Sequence, residues 1–129
     1  MLFKPQNILI FLLVCYTSLG IAQTTTSLKE SEGKKVDQLF YYFNNGFDDK
    51  AYEQAHQFLP KFKLSKSITN TNLLLAYYHN KYVATDSSIY YTHKALKSKK
   101  NPNDSLGIRL KILSYQLLAL NNKNKGLYQ

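Results

Sequence analysis

Leu106, Leu110, Leu113, Leu117 and Leu120 follow one another in steps of four, three, four and three. That spacing lines one side of an α-helix and matches no strand, whose side chains alternate between faces at every residue. A seam so narrow and so long has to be covered by a neighbouring helix. Shorter runs repeat the pattern upstream. Val36, Leu39, Phe40 and Phe43 give an apolar face to a first helix over 34–44, closed by Asn45-Gly46, where glycine accepts the left-handed backbone of a helix stop. Ala51, Ala55, Phe58 and Phe62, widened by Tyr52 and Leu59, mark a second helix over 48–62. Asp48 and Asp49 suit its start, and Pro60 ends or kinks it near the last turn because proline has no N–H to donate. A basic, polar connection over 63–69 leads to a third helix over 70–83, with Leu73, Leu74, Ala76, Tyr77 and Tyr82 as its apolar surface. Thr85 or Asp86 caps a fourth helix that runs to Ser98 and turns Ser88, Ile89, Tyr91, Ala95 and Leu96 inward. Asn101-Pro102-Asn103-Asp104 supplies a cap, a favoured first helical residue and a first-turn acid for the fifth. With only 5 Gly and 3 Pro and no strand-like alternation, the expectation is an all-α domain of five helices joined by short links.

Residues 1–22 have the parts of a secretory signal. Lys4 is the positive start, residues 8–16 are continuously apolar, and Gly20 and Ala22 are small residues before a cut at Gln23. As helix, that apolar run spans about 14 Å against about 30 Å of hydrocarbon, too short for a stable crossing. Cys15 follows Leu12-Leu13-Val14 in the manner of a lipidation site, but Val14 is bulky and the cysteine sits inside the apolar run, so lipoprotein anchoring is disfavoured. The expected layout is a signal peptide over 1–22, a flexible polar arm over 23–33, a helical domain over 34–121 and a polar tail over 122–129. The location is periplasmic or secreted. Cys15 is the single cysteine, so the mature chain has neither disulfide nor thiol chemistry. The formal charge of +9 drops by one when Lys4 leaves with the leader. The lysines are spread over the chain and read mainly as solubility.

Residues 69–102 resemble a tetratricopeptide repeat, a helix–turn–helix unit of about 34 residues. The family places small residues where paired helices approach closely, and Ala76, Ser88 and Ala95 occupy those places. Pro102 falls two residues later than the family's usual proline. The first-helix aromatic, the turn glycine and the second-helix tyrosine are missing. Residues 34–62 match more loosely, with Gly46 at the turn and Ala51 and Ala55 on the second helix, but Leu39 stands where a small residue is expected. The resemblance implies antiparallel helix hairpins stacked as a short solenoid, against the alternative of an irregular helical bundle. It also implies binding of a peptide or protein along the first-helix face, where the matching positions are Asn70, Tyr77, Asn80 and Lys81. In similar exported arrays of Bacteroidetes-type bacteria, the repeats often precede a transmembrane helix and a DNA-binding or kinase domain. A second expectation is therefore the sensor part of a membrane-bound regulator.

Catalytic chemistry is poorly provided for. Asp48 and Asp49 are adjacent on a helix and point about 100° apart, so they make no acid–base couple. No glycine-rich loop could cradle phosphate and no serine motif resembles a nucleophile elbow. Of His56, His79 and His93, the last two could approach across paired helices, but a third metal ligand is lacking once Asp86 serves as a helix cap. The expectation is no enzyme, no metal and no cofactor. Lys97, Lys99 and Lys100 complement the end of the fourth helix and give no nucleic-acid signature. Tyr41-Tyr42, Tyr77-Tyr78 and Tyr90-Tyr91 each expect one ring inward and one at the edge. The leucine seam of the fifth helix leaves self-association or a protein partner open.

Overall fold

The computed structural model describes the backbone of residues 5–124 and the side chains of 24–120 and 122–123. It is helical, with no strand among the described residues: α1 Pro5–Asn44, α2 Asp48–Phe58, α3 Ser65–Lys81, α4 Thr85–Ser98 and α5 Ser105–Asn124, with a 3-10 turn over Leu59–Lys61. The leader expected over 1–22, Cys15 included, lies outside the residues whose side chains are described. Among the described residues no helix is long and apolar enough to cross a membrane.

Two helix hairpins, α1–α2 and α3–α4, are closed by the same turn. In the first, the Phe47 N–H bonds Tyr42 O at 2.9 Å and the Gly46 N–H bonds Phe43 O at 3.4 Å. In the second, the Ala84 N–H bonds His79 O at 2.8 Å and the Val83 N–H bonds Asn80 O at 3.2 Å. This double closure satisfies the last carbonyls of a helix and needs a left-handed residue at its centre. Gly46 at φ +81° and Val83 at φ +59° occupy that place. Phe47 and Ala84 then start the next helix in matching backbone geometry, so no side chain caps α4 and neither Thr85 nor Asp86 is its N-cap. Aligning the hairpins on Gly46 and Val83 sets Leu39 against Ala76, Ala51 against Ser88 and Ala55 against Thr92, and all of these are fully buried. Where α1 supplies the bulk of Leu39, α2 answers with alanines. In the second hairpin Ala76 is small, and the Ser88 hydroxyl reaches across to donate to Ala76 O at 2.8 Å.

The interior has two apolar clusters that share α3. Leu39, Ala51, Ala55, Leu74 and Leu75 form one, with Phe40, Phe43, Tyr52, Phe58 and Tyr91 against it. Leu73, Ala95 and Leu110 form the other, with Leu96, Leu106 and Leu113. Leu106, Leu110 and Leu113 of the α5 seam thus cluster with Leu73, Ala95 and Leu96, Leu117 is buried, and Leu120 is exposed.

Four expected boundaries move. The polar arm over 23–33 is helix, continuous with α1: Lys34 pairs with Glu30 one turn back at 2.6 Å and Glu32 is buried. The connection over 63–69 is mostly the first turn of α3, because its hydroxyls are satisfied inside the helix. Thr69 Oγ1 donates to Ser65 O and Thr71 Oγ1 to Ser67 O, each at 2.8 Å. At the fifth helix the start shifts from Asn101 to Ser105. Asp104 caps it, accepting the Gly107 N–H at 2.9 Å, while Asn101 Oδ1 accepts the Asn103 N–H at 3.1 Å in the link. That link folds back so tightly that a Cβ on Gly107 would lie 2.2 Å from the Pro102 carbonyl oxygen. At the other end α5 runs to Asn124, into the expected tail, and residues 125–129 lie outside the described residues.

Candidate functional site

A groove of about 1070 Å³ runs between α1 and the α4–α5 link, with the first turn of α3 as its floor. Its walls are held by contacts between segments far apart in sequence. Glu32, 3% exposed, is the principal one. Its carboxylate accepts the backbone N–H groups of Lys63 at 2.8 Å and Leu64 at 3.1 Å, which locks α1 to the entry of α3. On the opposite side the Ser65 hydroxyl donates to Ser98 O, and Thr69 and Ser98 share a hydroxyl bond of 3.0 Å, joining the start of α3 to the end of α4. Lys99 pairs with Asp104 at 2.6 Å and fixes the link. The Asp104 carboxyl is held below the usual carboxylate range by the Lys99 ammonium and the Gly107 N–H.

These pairings decide the charge of the groove. Glu30 and Asp104 are engaged by Lys34 and Lys99. Lys29, Lys66 and Lys100 line the groove, and among the described residues none of them has an ion-pair partner. Asp37 is the carboxylate left to oppose them. Val36, Leu64 and Leu106 supply apolar surface, and Gly33 leaves the α1 wall open, since a Cβ built on it meets nothing within 4 Å. The result is a trough with a largely polar floor, apolar side chains from Leu64 and Leu106 in its lining, and an excess of unpaired cations.

Of the residues expected to hold a ligand, Asn70 lines the groove. Tyr77, Asn80 and Lys81 lie further along α3, Lys81 about 16 Å from Asn70 along the helix axis, and are not part of its lining. Tyr77 and Asn80 are exposed. Lys81 is committed to Asp48 through an ion pair and stands 5.7 Å from the centre of the Phe43 ring. Ala76, Ser88 and Ala95 are fully buried. Lys29, Lys66 and Lys100 carried no signal as a group in the sequence, because only the folded chain brings 29, 66 and 100 together.

A second cluster lies where α2, α3 and α4 meet. Tyr52 stacks on Tyr78 at 4.4 Å and His79 on Tyr91 at 5.3 Å, while Tyr52 meets the edges of His56 at 4.6 Å and His79 at 5.6 Å. Desolvation first, and then the charge on His56, hold His79 below its ordinary value. Burial first, and then Asp49, which accepts its hydroxyl at 3.0 Å, push Tyr78 up to about 12. His79 therefore belongs with His56 and three tyrosines, while His93 is exposed. In each tyrosine pair one ring is exposed, Tyr41, Tyr77 and Tyr90, and its neighbour is half-buried. Among the described residues no group of three or more His, Cys, Asp or Glu side chains is placed to hold a metal ion. No protein-family model, curated protein or solved structure matches the chain.

Proposed function

We propose that this protein is an exported, non-catalytic interaction module of tetratricopeptide-like hairpins, which holds an extended, acidic segment of a partner protein in the groove between α1 and the α4–α5 link. Lys29, Lys66 and Lys100, together with the apolar side chains of Leu64 and Leu106 in the same lining, carry the reading. An extended segment fits because it presents side chains to both walls. Leu or Ile side chains settle on Val36, Leu64 and Leu106, and carboxylates meet the lysines, where charge steers association and selects the partner. Asn70 and Asn101 offer amides to the peptide backbone. The repeated turn at Gly46 and Val83 and the buried small residues of both hairpins support the hairpin-repeat part of the reading. Export rests on the composition of residues 1–22.

Gly33 provides the test. Gly33→Phe fills the groove from α1, and its helix propensity rises relative to glycine by roughly 0.5 kcal/mol, so the fold is retained. Fluorescence anisotropy with labelled leucine-containing peptides that differ in the sign of their charged residues should show binding to the acidic peptide. Binding should be lost in Gly33→Phe and weakened about tenfold in Lys66→Glu with Lys100→Glu. Equal binding of acidic and basic peptides, or binding untouched by Gly33→Phe, overturns the assignment.

A further inference from the structure

α5 is apolar on two opposite sides. On its inner side Leu106, Leu110 and Leu113 join the cluster of Leu73, Ala95 and Leu96, and Leu117 is buried. On the outer side Ile108, Ile112 and Tyr115 are 49%, 50% and 72% exposed, and Ala119 continues the line. The two rows step alike, by four, three and four. A helix apolar on both sides is ordinarily buried on both. Here nothing among the described residues packs on the outer row.

The character of that row selects its occupant. The row spans about 60° of the helix circumference, and polar side chains border it: Arg109, Gln116 and Lys123 on one edge, Lys111 and Asn122 on the other, with the exposed Leu118 and Leu120 lying beyond those edges. A narrow row stepping by four and three is the seam into which a second helix fits its side chains, whereas burial in a lipid surface calls for a broad apolar sector. The inner row, with the same steps, already receives helices. Every charge on the flanks is basic, since α5 carries Arg109, Lys111 and Lys123 and no Asp or Glu. Two copies of α5 placed face to face would oppose like charges.

We propose that the outer row of α5 is a docking surface for an amphipathic helix of another protein, with an apolar row of four-three spacing bordered by Asp or Glu. This site is separate from the groove, and its partner is helical where the groove's is extended. The full chain is titrated with two synthetic helical peptides that share one leucine row and differ only in carrying glutamates or lysines along its borders. The glutamate peptide should bind at least about tenfold more tightly. Binding should weaken as salt rises and should gain helical circular dichroism. Ile112→Lys and Tyr115→Ser, both at exposed positions, should each reduce it about tenfold or more with the protein's own spectrum unchanged, while Gly33→Phe should leave it intact. The proposal is overturned if the two peptides bind alike or not at all. It is also overturned if the chain sediments as a dimer that Ile112→Lys dissolves, or if phosphatidylglycerol vesicles, and neither peptide, bind in a manner that Ile112→Lys abolishes.

Discussion

Asp48 stands at the first position of α2, where the free N–H groups of a helix start favour negative charge. What holds it, however, is α3. Its Oδ2 accepts from the Lys81 ammonium and from the Tyr82 hydroxyl at 3.0 Å, and its Oδ1 is buried without a partner among the described residues. Lys81 first, and Tyr82 less strongly, hold the Asp48 carboxyl below the usual range against the opposing effect of desolvation, and Asp48 raises Lys81 in return. A carboxyl lowered by folding stabilises the fold at every pH above its unfolded value, and that contribution disappears as pH falls through the folded value. The thermal midpoint followed by circular dichroism should therefore drop once pH falls below about 4. Asp48→Asn should lower the midpoint at neutral pH and flatten this acid limb. An acid limb that survives intact in Asp48→Asn would assign the effect to another lowered carboxyl, such as Asp104. The helix-start role of Asp48 can be seen in the sequence, but the partner that engages it cannot. Lys81 lies a hairpin away, and its position in the sequence gives no sign that Asp48 is its partner.

The two turns that define the hairpins solve one problem with different residues. Gly46 takes the left-handed backbone freely, whereas Val83, a β-branched residue at φ +59° and 75% exposed, takes it against steric resistance. Val83→Gly should relieve that strain, offset in part by the greater freedom glycine gives the unfolded chain. The net expectation is a gain of about 0.5–1 kcal/mol, read as a higher urea midpoint at unchanged slope. A lower midpoint would mean that Val83 makes a packing contribution its exposure does not suggest. Gly46 marks the first turn in the sequence because glycine is the residue such a turn favours. Val83 hides the second, which is set by the paired backbone bonds and by the burial of Ala76 and Ser88 on either side of it. The same competition explains the helix boundaries. Ser67, Thr69, Thr71 and Asn72 look like a link and the start of a helix face, yet all are buried. Thr69, Thr71 and Asn72 turn donor groups back onto carbonyls four residues earlier, which offsets the cost of burying those donors, while Asn72 Oδ1 has no partner among the described residues. Polarity is then a poor guide to exposure, and α3 gains a first turn that its apolar periodicity does not show.

At the scale of the molecule, α3 is the element on which everything else is hung. Glu32 ties α1 to its entry, Asp48 and Asp49 tie α2 to its exit, and each apolar cluster contributes one of its faces. The groove follows from this arrangement, since its lining comes from three separated stretches that meet only because α3 lies between α1 and the α4–α5 link. For that reason the helices were legible in the apolar spacing while the groove was not: Asn70 could be placed on a helix face, but the lysines around it belong to other segments. The shared helix also sets how the fold comes apart. Replacing a buried leucine by alanine costs about 2–5 kcal/mol, a large part of what a domain of this size has to spare. Leu75 belongs to the cluster built from α1, α2 and α3, whereas Leu110 belongs to the one that seats α5. Leu110→Ala should therefore release α5 by local opening, raising amide hydrogen exchange over 105–124 while 34–58 keeps its protection. Leu75→Ala strikes the helix that both clusters need, and exchange should rise throughout. If Leu110→Ala raises exchange equally in α1 and α2, the two clusters unfold as a single unit, and α5 is as firmly built into the domain as the hairpin at its other end.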